Sequence, residues 1–293
     1  MADIFNEIGK MLSYPFMYKA FIVGILTALC AALLGVSLVL KRFSMIGDGL
    51  SHVGFSSLAI AAAMNAAPLE VSIPIVVAAA FLLLRIRENS KIKGDAAIAL
   101  ISTGSLAIGV VVVSMTTGMN IDVYNYMFGS INSISQGDMI LSAVLSLIVL
   151  VLYIVFYSKI FAVTFDEEFS KATGIKTGMY NMLIALLTAI MIVLGMRLMG
   201  ALLISALIIF PPLTSMRLFK SFRSVVIGSA VLSVICFITG ILISYFYITP
   251  SKTSLPTGAS VVVVNIIAFL IFSLLGIIRK TKGNKAGQPH DKV

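Results

Sequence analysis

The chain has 293 residues, 59% of them hydrophobic and 11% charged, with a mean hydropathy of +1.09. A soluble domain is about a quarter charged, so this composition excludes an ordinary soluble protein and describes an integral membrane protein. The net charge of +9 is not a nucleic-acid signature, because Lys and Arg sit in short loops between apolar runs.

Nine apolar segments follow in chain order, at approximately 16–40, 44–64, 71–84, 96–115, 139–157, 179–194, 198–216, 225–247 and 258–278. A helical span needs about 20 residues, and runs of this length exclude an outer-membrane barrel. The first run is too long for a signal-peptide core and is read as an uncleaved span. Segments 71–84 and 179–194 are short, and segments 44–64 and 198–216 carry glycines, hydroxyls or prolines. Each of these four is a candidate re-entrant or broken helix lining a cavity. The expected fold is an all-α, polytopic transmembrane helical bundle of eight to nine spans. Residues 1–279 are expected to form one transmembrane domain, and 280–293 a disordered cytoplasmic tail.

Charge orients the bundle. If all nine segments cross, 17 of the 21 basic residues fall on one side, in the groups Lys41–Arg42, Arg85–Lys93, Lys159–Lys176, Arg217–Arg223 and Arg279–Lys292. That side is cytoplasmic by the positive-inside rule. The N-terminus then lies outside. With one re-entrant segment the count falls to eight and the N-terminus moves in. The longest outer loop, Thr116 to Asp138, contains Tyr124, Tyr126 and Phe128. Its aromatics suit either the lipid–water interface or a gate or docking surface.

Asp48 and His52 are the most informative residues. Asp48 is the one carboxylate of the twelve within an apolar stretch, and His52 is one of only two histidines. Ionisable groups at membrane depth are costly and mark functional sites. Residues i and i+4 share a helix face, so the two side chains point the same way. A carboxylate and an imidazole together bind a divalent metal, relay a proton, or hold two helices together. Ser51 is expected to bond its own helix backbone, Asn265 to link helices, and Arg197 to anchor at the outer interface. Cys30 and Cys236 are expected as buried packing residues.

The loop Lys159–Gly178 contains Thr164-Phe165-Asp166-Glu167, which fits a capping box with Thr164 as N-cap. Asp166, Glu167 and Glu168 supply negative charge to a first helical turn, and Gly174 suits a helix stop. The prediction is a helix of about nine residues outside the membrane, either a capped connector or an element that docks on a cytoplasmic motor.

Six motifs in register carry a resemblance. They are Gly47-Asp48-Gly49-Leu50-Ser51-His52, Asp95-Ala96-Ala97-Ile98-Ala99, Tyr126-Met127-Phe128-Gly129, Phe165-Asp166-Glu167-Glu168 through Gly174, Gly200-Ala201-Leu202-Leu203-Ile204-Ser205-Ala206-Leu207 leading to Pro211, and Leu255-Pro256-Thr257-Gly258-Ala259. Between about residues 20 and 278 the chain resembles the membrane permease of bacterial ATP-binding-cassette importers for zinc and manganese. Pro211-Pro212 departs from the family's Pro-Ala and is expected to tighten a helix break. Ala99 stands where the family has Gly, and Gly49 where it often has Ala or Thr.

The resemblance implies a homodimeric permease in the bacterial cell membrane, with Asp48 and His52 lining the metal pathway. It implies cytoplasmic ATP-binding subunits that engage Asp166, Glu167, Glu168 and Gly174, and an extracytoplasmic metal-binding protein. The metal, zinc before manganese, is cargo, and no cofactor is expected. The chain has no Gly-x-x-x-x-Gly-Lys-Ser/Thr loop, so ATP hydrolysis falls to a partner. The alternatives are an ion- or proton-coupled secondary transporter, against which no second Asp-x-x-x-His occurs, and a membrane metalloprotease, against which His-Glu-x-x-His is absent.

Overall fold

Apolar stretches in hydrocarbon fold as helices, because every backbone N–H and C=O must be satisfied within the segment. The computed structural model describes residues 9, 11, 13–89, 94–116, 129, 136–247 and 255–286. Among these residues eleven helices follow in order: α1 (Pro15–Leu40), α2 (Ile46–Ala63), α3 (Pro68–Asn89), α4 (Gly94–Thr116), α5 (Gln136–Val155), α6 (Tyr157–Phe165), α7 (Glu167–Ala172), α8 (Thr177–Met199), α9 (Ala201–Leu218), α10 (Phe222–Phe246) and α11 (Thr257–Ala286). No strand occurs among the described residues. The protein is an all-α membrane bundle, as the sequence predicts.

Among the described residues, eight helices are long and apolar enough to cross a bilayer. The ninth long helix, α2, has 18 residues, about 27 Å at 1.5 Å per residue. It falls short on hydropathy, lowered by Asp48, His52, its glycines and its serines. The two segments expected to be short are full-length, at 22 residues for α3 and 23 for α8. Their ends carry Glu70, Arg85, Asn181 and Arg197, so hydropathy registers only their middles. The expected break at Pro211-Pro212 is also absent, since α9 runs through both prolines. Pro212 leaves the Ile208 carbonyl without an intrahelical donor, and that carbonyl packs against Gly35 of α1 instead. The expected domain end at 279 falls inside α11, which continues to Ala286.

One end of the bundle is basic, with Lys41, Arg42 and Lys171 where the end of α1 meets α7 and the start of α4. Lys41 after α1 meets Glu167 of α7 and Asn181 near the start of α8. Tyr157 and Phe161 of α6 stack on Phe222 at the start of α10, with ring centroids 5.8 and 4.9 Å apart. At the opposite end α8 and α9 form a hairpin through the single residue Gly200 (φ 92°, ψ 154°). Five residues before and four after it, Gly195 packs against Ile204. Gly129, between α4 and α5, lies directly on Met199–Gly200. Tyr124, Tyr126 and Phe128 of the Thr116–Asp138 loop fall outside the described residues.

The core runs through α1, α2, α8 and α9, with Leu34, Leu50, Met191, Ile192 and Ile204 buried. By contrast α11 faces outward along most of its length. α2 is wedged among α3, α4, α8 and α9. Its small residues permit this: Gly54 meets Met196 of α8, and Gly47 meets Ile208 of α9.

Candidate functional site

Asp48 lies in the first turn of α2, where the helix dipole favours a carboxylate. His52 follows one turn later, with its Nε2 3.7 Å from Oδ2 of Asp48. That distance is too long for a hydrogen bond. Two donors each about 2.1 Å from one tetrahedral ion stand about 3.4 Å apart, so a small side-chain adjustment would let both hold one cation. Among the described residues no Lys or Arg pairs with Asp48.

The other residues between Ile46 and Ala59 are buried, whereas the side chains of Asp48 and His52 are 50% and 28% exposed. The pair therefore occupies the one open strip along the packed part of α2. The strip lies between α9, which meets α2 at Gly47 and Ser51, and α4, which meets it at Gly49 and Phe55. Among the described residues no cluster of three or more His, Cys, Asp or Glu forms, so a single copy contributes this pair of donors.

Ser51 Oγ donates to Gly47 O at 2.7 Å, as expected of a helical serine, and lies 3.3 Å from Ser205 Oγ of α9. Sequence reasoning quoted Ser205 within a motif but gave it no place beside α2. Nothing in one helix's periodicity reports which residue of a distant helix it faces.

Asp166, Glu167, Glu168 and Gly174 take separate positions around α7. The N-cap is Asp166, not Thr164: Asp166 is extended (φ −147°, ψ 99°) and its Oδ1 accepts from Phe169 N at 2.9 Å. Thr164 lies within α6, whose Ile160 and Val163 are buried and carry that helix through to Phe165. α7 consequently has six residues rather than nine. It ends in two bonds, Gly174 N to Lys171 O and Ile175 N to Ser170 O, both 3.0 Å. Gly174 takes φ 82° there, a left-handed conformation that glycine adopts without strain.

Glu167 reaches across to α1 and α8 while staying 30% exposed, and it also lies 3.8 Å from Lys171 of its own helix. Its Oε1 accepts from Asn181 Nδ2 at 3.0 Å, and its Oε2 lies 3.4 Å from Lys41 Nζ. Glu168 turns outward and pairs with Lys171 at 3.0 Å. Phe165 and Phe169 are 71% and 66% exposed beside it, an unusual position for phenylalanines at the polar end of a bundle. Sequence reasoning counted Lys41 only as an orienting charge and did not single out Asn181.

Arg197, expected as an anchor at the outer interface, holds Asp138 of α5 through two bonds of 2.8 and 3.1 Å. One expectation is corrected. Asn265 bonds its own helix, at Val261 O, rather than a neighbour. Cys30 and Cys236 are both buried and free.

Comparison with known proteins agrees with this architecture. The family model of the ABC 3 transport family matches residues 13–276. The chain is 28% identical to the high-affinity zinc uptake system membrane protein ZnuB of Haemophilus influenzae, over 88% of this chain and 97% of that one. It is 27% identical to the manganese transport system membrane protein MntC of Halalkalibacterium halodurans, over 98% of each. Among solved structures it superimposes on a chain of PsaBC from Streptococcus pneumoniae with a TM-score of 0.80 at 26% identity, covering 92% of this chain and 95% of that one. The chain thus belongs to the ABC 3 transport family, as a multi-pass membrane permease subunit.

Proposed function

We propose that this permease imports a divalent transition metal, zinc in the first place and manganese next, as a pair of copies driven by two cytoplasmic ATPase subunits and supplied by an external metal-binding protein. The observation that carries the reading is the placement of Asp48 and His52 on the open strip of α2. A carboxylate turned towards acyl chains is costly, and a second copy facing the strip removes that cost. Two copies bring two carboxylates, whose charge balances a divalent ion, and two imidazoles. This N/O set suits tetrahedral zinc, whereas manganese prefers more oxygen. The relatives named for zinc and manganese uptake support the same substrate class.

The pair is a transient stop, strong enough to strip water from the ion and weak enough to release it. A cavity of about 220 Å³ at the basic end, lined by Lys41, Arg42, Phe43, Gly94, Asp95 and Ile98, offers a way onward. Ile98 also packs on Gly49, next to Asp48. α7, with Phe169 and Glu168 outward beside Phe165 at the end of α6, is the contact for the ATPase.

The test is uptake of zinc and manganese isotopes by the reconstituted complex. Asp48→Ala and His52→Ala are each expected to lower uptake at least tenfold while the complex still assembles. Undiminished uptake in both variants overturns the pathway role. Uptake by the permease alone, without ATP, overturns the ATP-driven reading in favour of a secondary transporter.

A further inference from the structure

Lys41 caps the C-terminus of α1, and its side chain is only 9% exposed. A lysine is rarely so buried unless it is paired. Its Nζ donates to Asn181 Oδ1 and lies 3.4 Å from Glu167 Oε2, while Asn181 Nδ2 donates to Glu167 Oε1 at 3.0 Å. The three side chains close a ring that uses both ends of the amide and both oxygens of the carboxylate. One ring thereby joins the end of α1, the start of α7 and the first turns of α8.

The chain between Lys41 and α2 has no slack. Arg42 N bonds Val39 O at 3.1 Å, Phe43 N bonds Leu38 O at 2.7 Å, and Ile46 N bonds Phe43 O at 3.0 Å. Phe43 and Ile46 are buried. Asp48 comes two residues after Ile46. A shift of α7 that drags Lys41 is therefore passed to the foot of α2, not absorbed in a loose loop.

We propose that Lys41, Glu167 and Asn181 form the clasp that carries movement of α7 to the α1–α2 joint and on to Asp48 and His52. Lys41 is a positioning residue for transport. Glu167 works inside the permease, and the partner meets Glu168 and Phe169 of α7 with Phe165 at the end of α6. The inference rests on the reading of α7 as the ATPase contact.

The experiment reconstitutes the whole complex with Lys41→Met, Lys41→Arg, Glu167→Gln, the exchange Lys41→Glu with Glu167→Lys, and separately Phe169→Asp. It reads ATPase co-purification, ATP hydrolysed, and zinc taken up per ATP. Lys41→Met and Glu167→Gln are expected to keep the ATPase bound and hydrolysing within about twofold. Their uptake per ATP should fall at least tenfold, with Lys41→Arg near wild type and the exchange recovering part of the loss. A purely structural role would lower yield without changing that ratio. Unchanged uptake per ATP in Lys41→Met, or loss of the ATPase from it, overturns the clasp. If Lys41→Met does not fold, Glu167→Gln decides alone, since it keeps the shape and removes the charge. Phe169→Asp tests the reading beneath: if the ATPase stays bound and coupled there, α7 is not the contact. If that variant loses the ATPase while Lys41→Met transports normally, only the clasp fails.

Discussion

The carbonyl oxygen of Ile208 in α9 lies where the side chain of any residue other than glycine at position 35 of α1 would begin, 2.1 Å from an ideal Cβ. Pro212, four residues on, cannot donate to that carbonyl, and the ring's Cγ lies 3.0 Å from the same point. The contact binds α1 to α9 at backbone distance and explains how a double proline sits in an unbroken helix. Gly35→Ala is expected to destabilise the permease by about 1–3 kcal/mol through overpacking, seen as a lower Tm of the detergent-purified protein. Gly104→Ala in α4, where nothing lies within 4 Å of the added methyl, is the matched control and should leave Tm unchanged or higher.

Gly174 presents the opposite case, since space is open around it and only its φ of 82° is demanding. Gly174→Val should cost about 1–2 kcal/mol in the α7 turn, and Gly174→Asn should cost less, because asparagine enters the left-handed region more readily. Limited proteolysis between α6 and α8 reports the loosening. Equal protection in the two variants would show that the turn does not need this conformation.

The Arg197–Asp138 fork ties the C-terminal end of α8 to the start of α5, with Asp138 only 15% exposed. Removing the guanidinium takes a two-bond ion pair away from a carboxylate that is largely shielded from water. Arg197→Met should therefore lower stability by about 1–3 kcal/mol. The double variant Arg197→Met with Asp138→Leu should recover most of it. A double-mutant cycle on chemical denaturation measures the coupling, and an additive result would mean that the two bonds contribute nothing.

Under the proposed role, Asp48 and His52 hold the same metal ion in transit. Asp48→Asn, which keeps the shape and removes the charge, and His52→Gln, which removes the ring nitrogens, should each raise the metal concentration that gives half-maximal uptake by about tenfold or more. An unchanged half-maximal concentration in both variants would place the metal's path elsewhere.

Much of this protein is local information. Apolar run length announces the helices, a spacing of four places Asp48 and His52 on one face, and a glycine after a charged first turn announces the end of α7. Where two local signals compete, the sequence misleads. Thr164 and Asp166 both qualify as caps, and burial of Ile160 and Val163 decides for Asp166 by extending α6 over Thr164.

Hydrophobic run and helical period determined the class of this protein and its most telling pair of residues, because both depend on neighbours within a few turns. Tertiary structure alone decided that Lys41 would meet Glu167 and Asn181, that Ser51 would face Ser205, that α9 would pass through two prolines, and that the Asp48–His52 strip would be left open. Those outcomes depend on how separate helices slide and rotate against one another. That register is set by the summed packing of side chains far apart in sequence, which no single segment encodes.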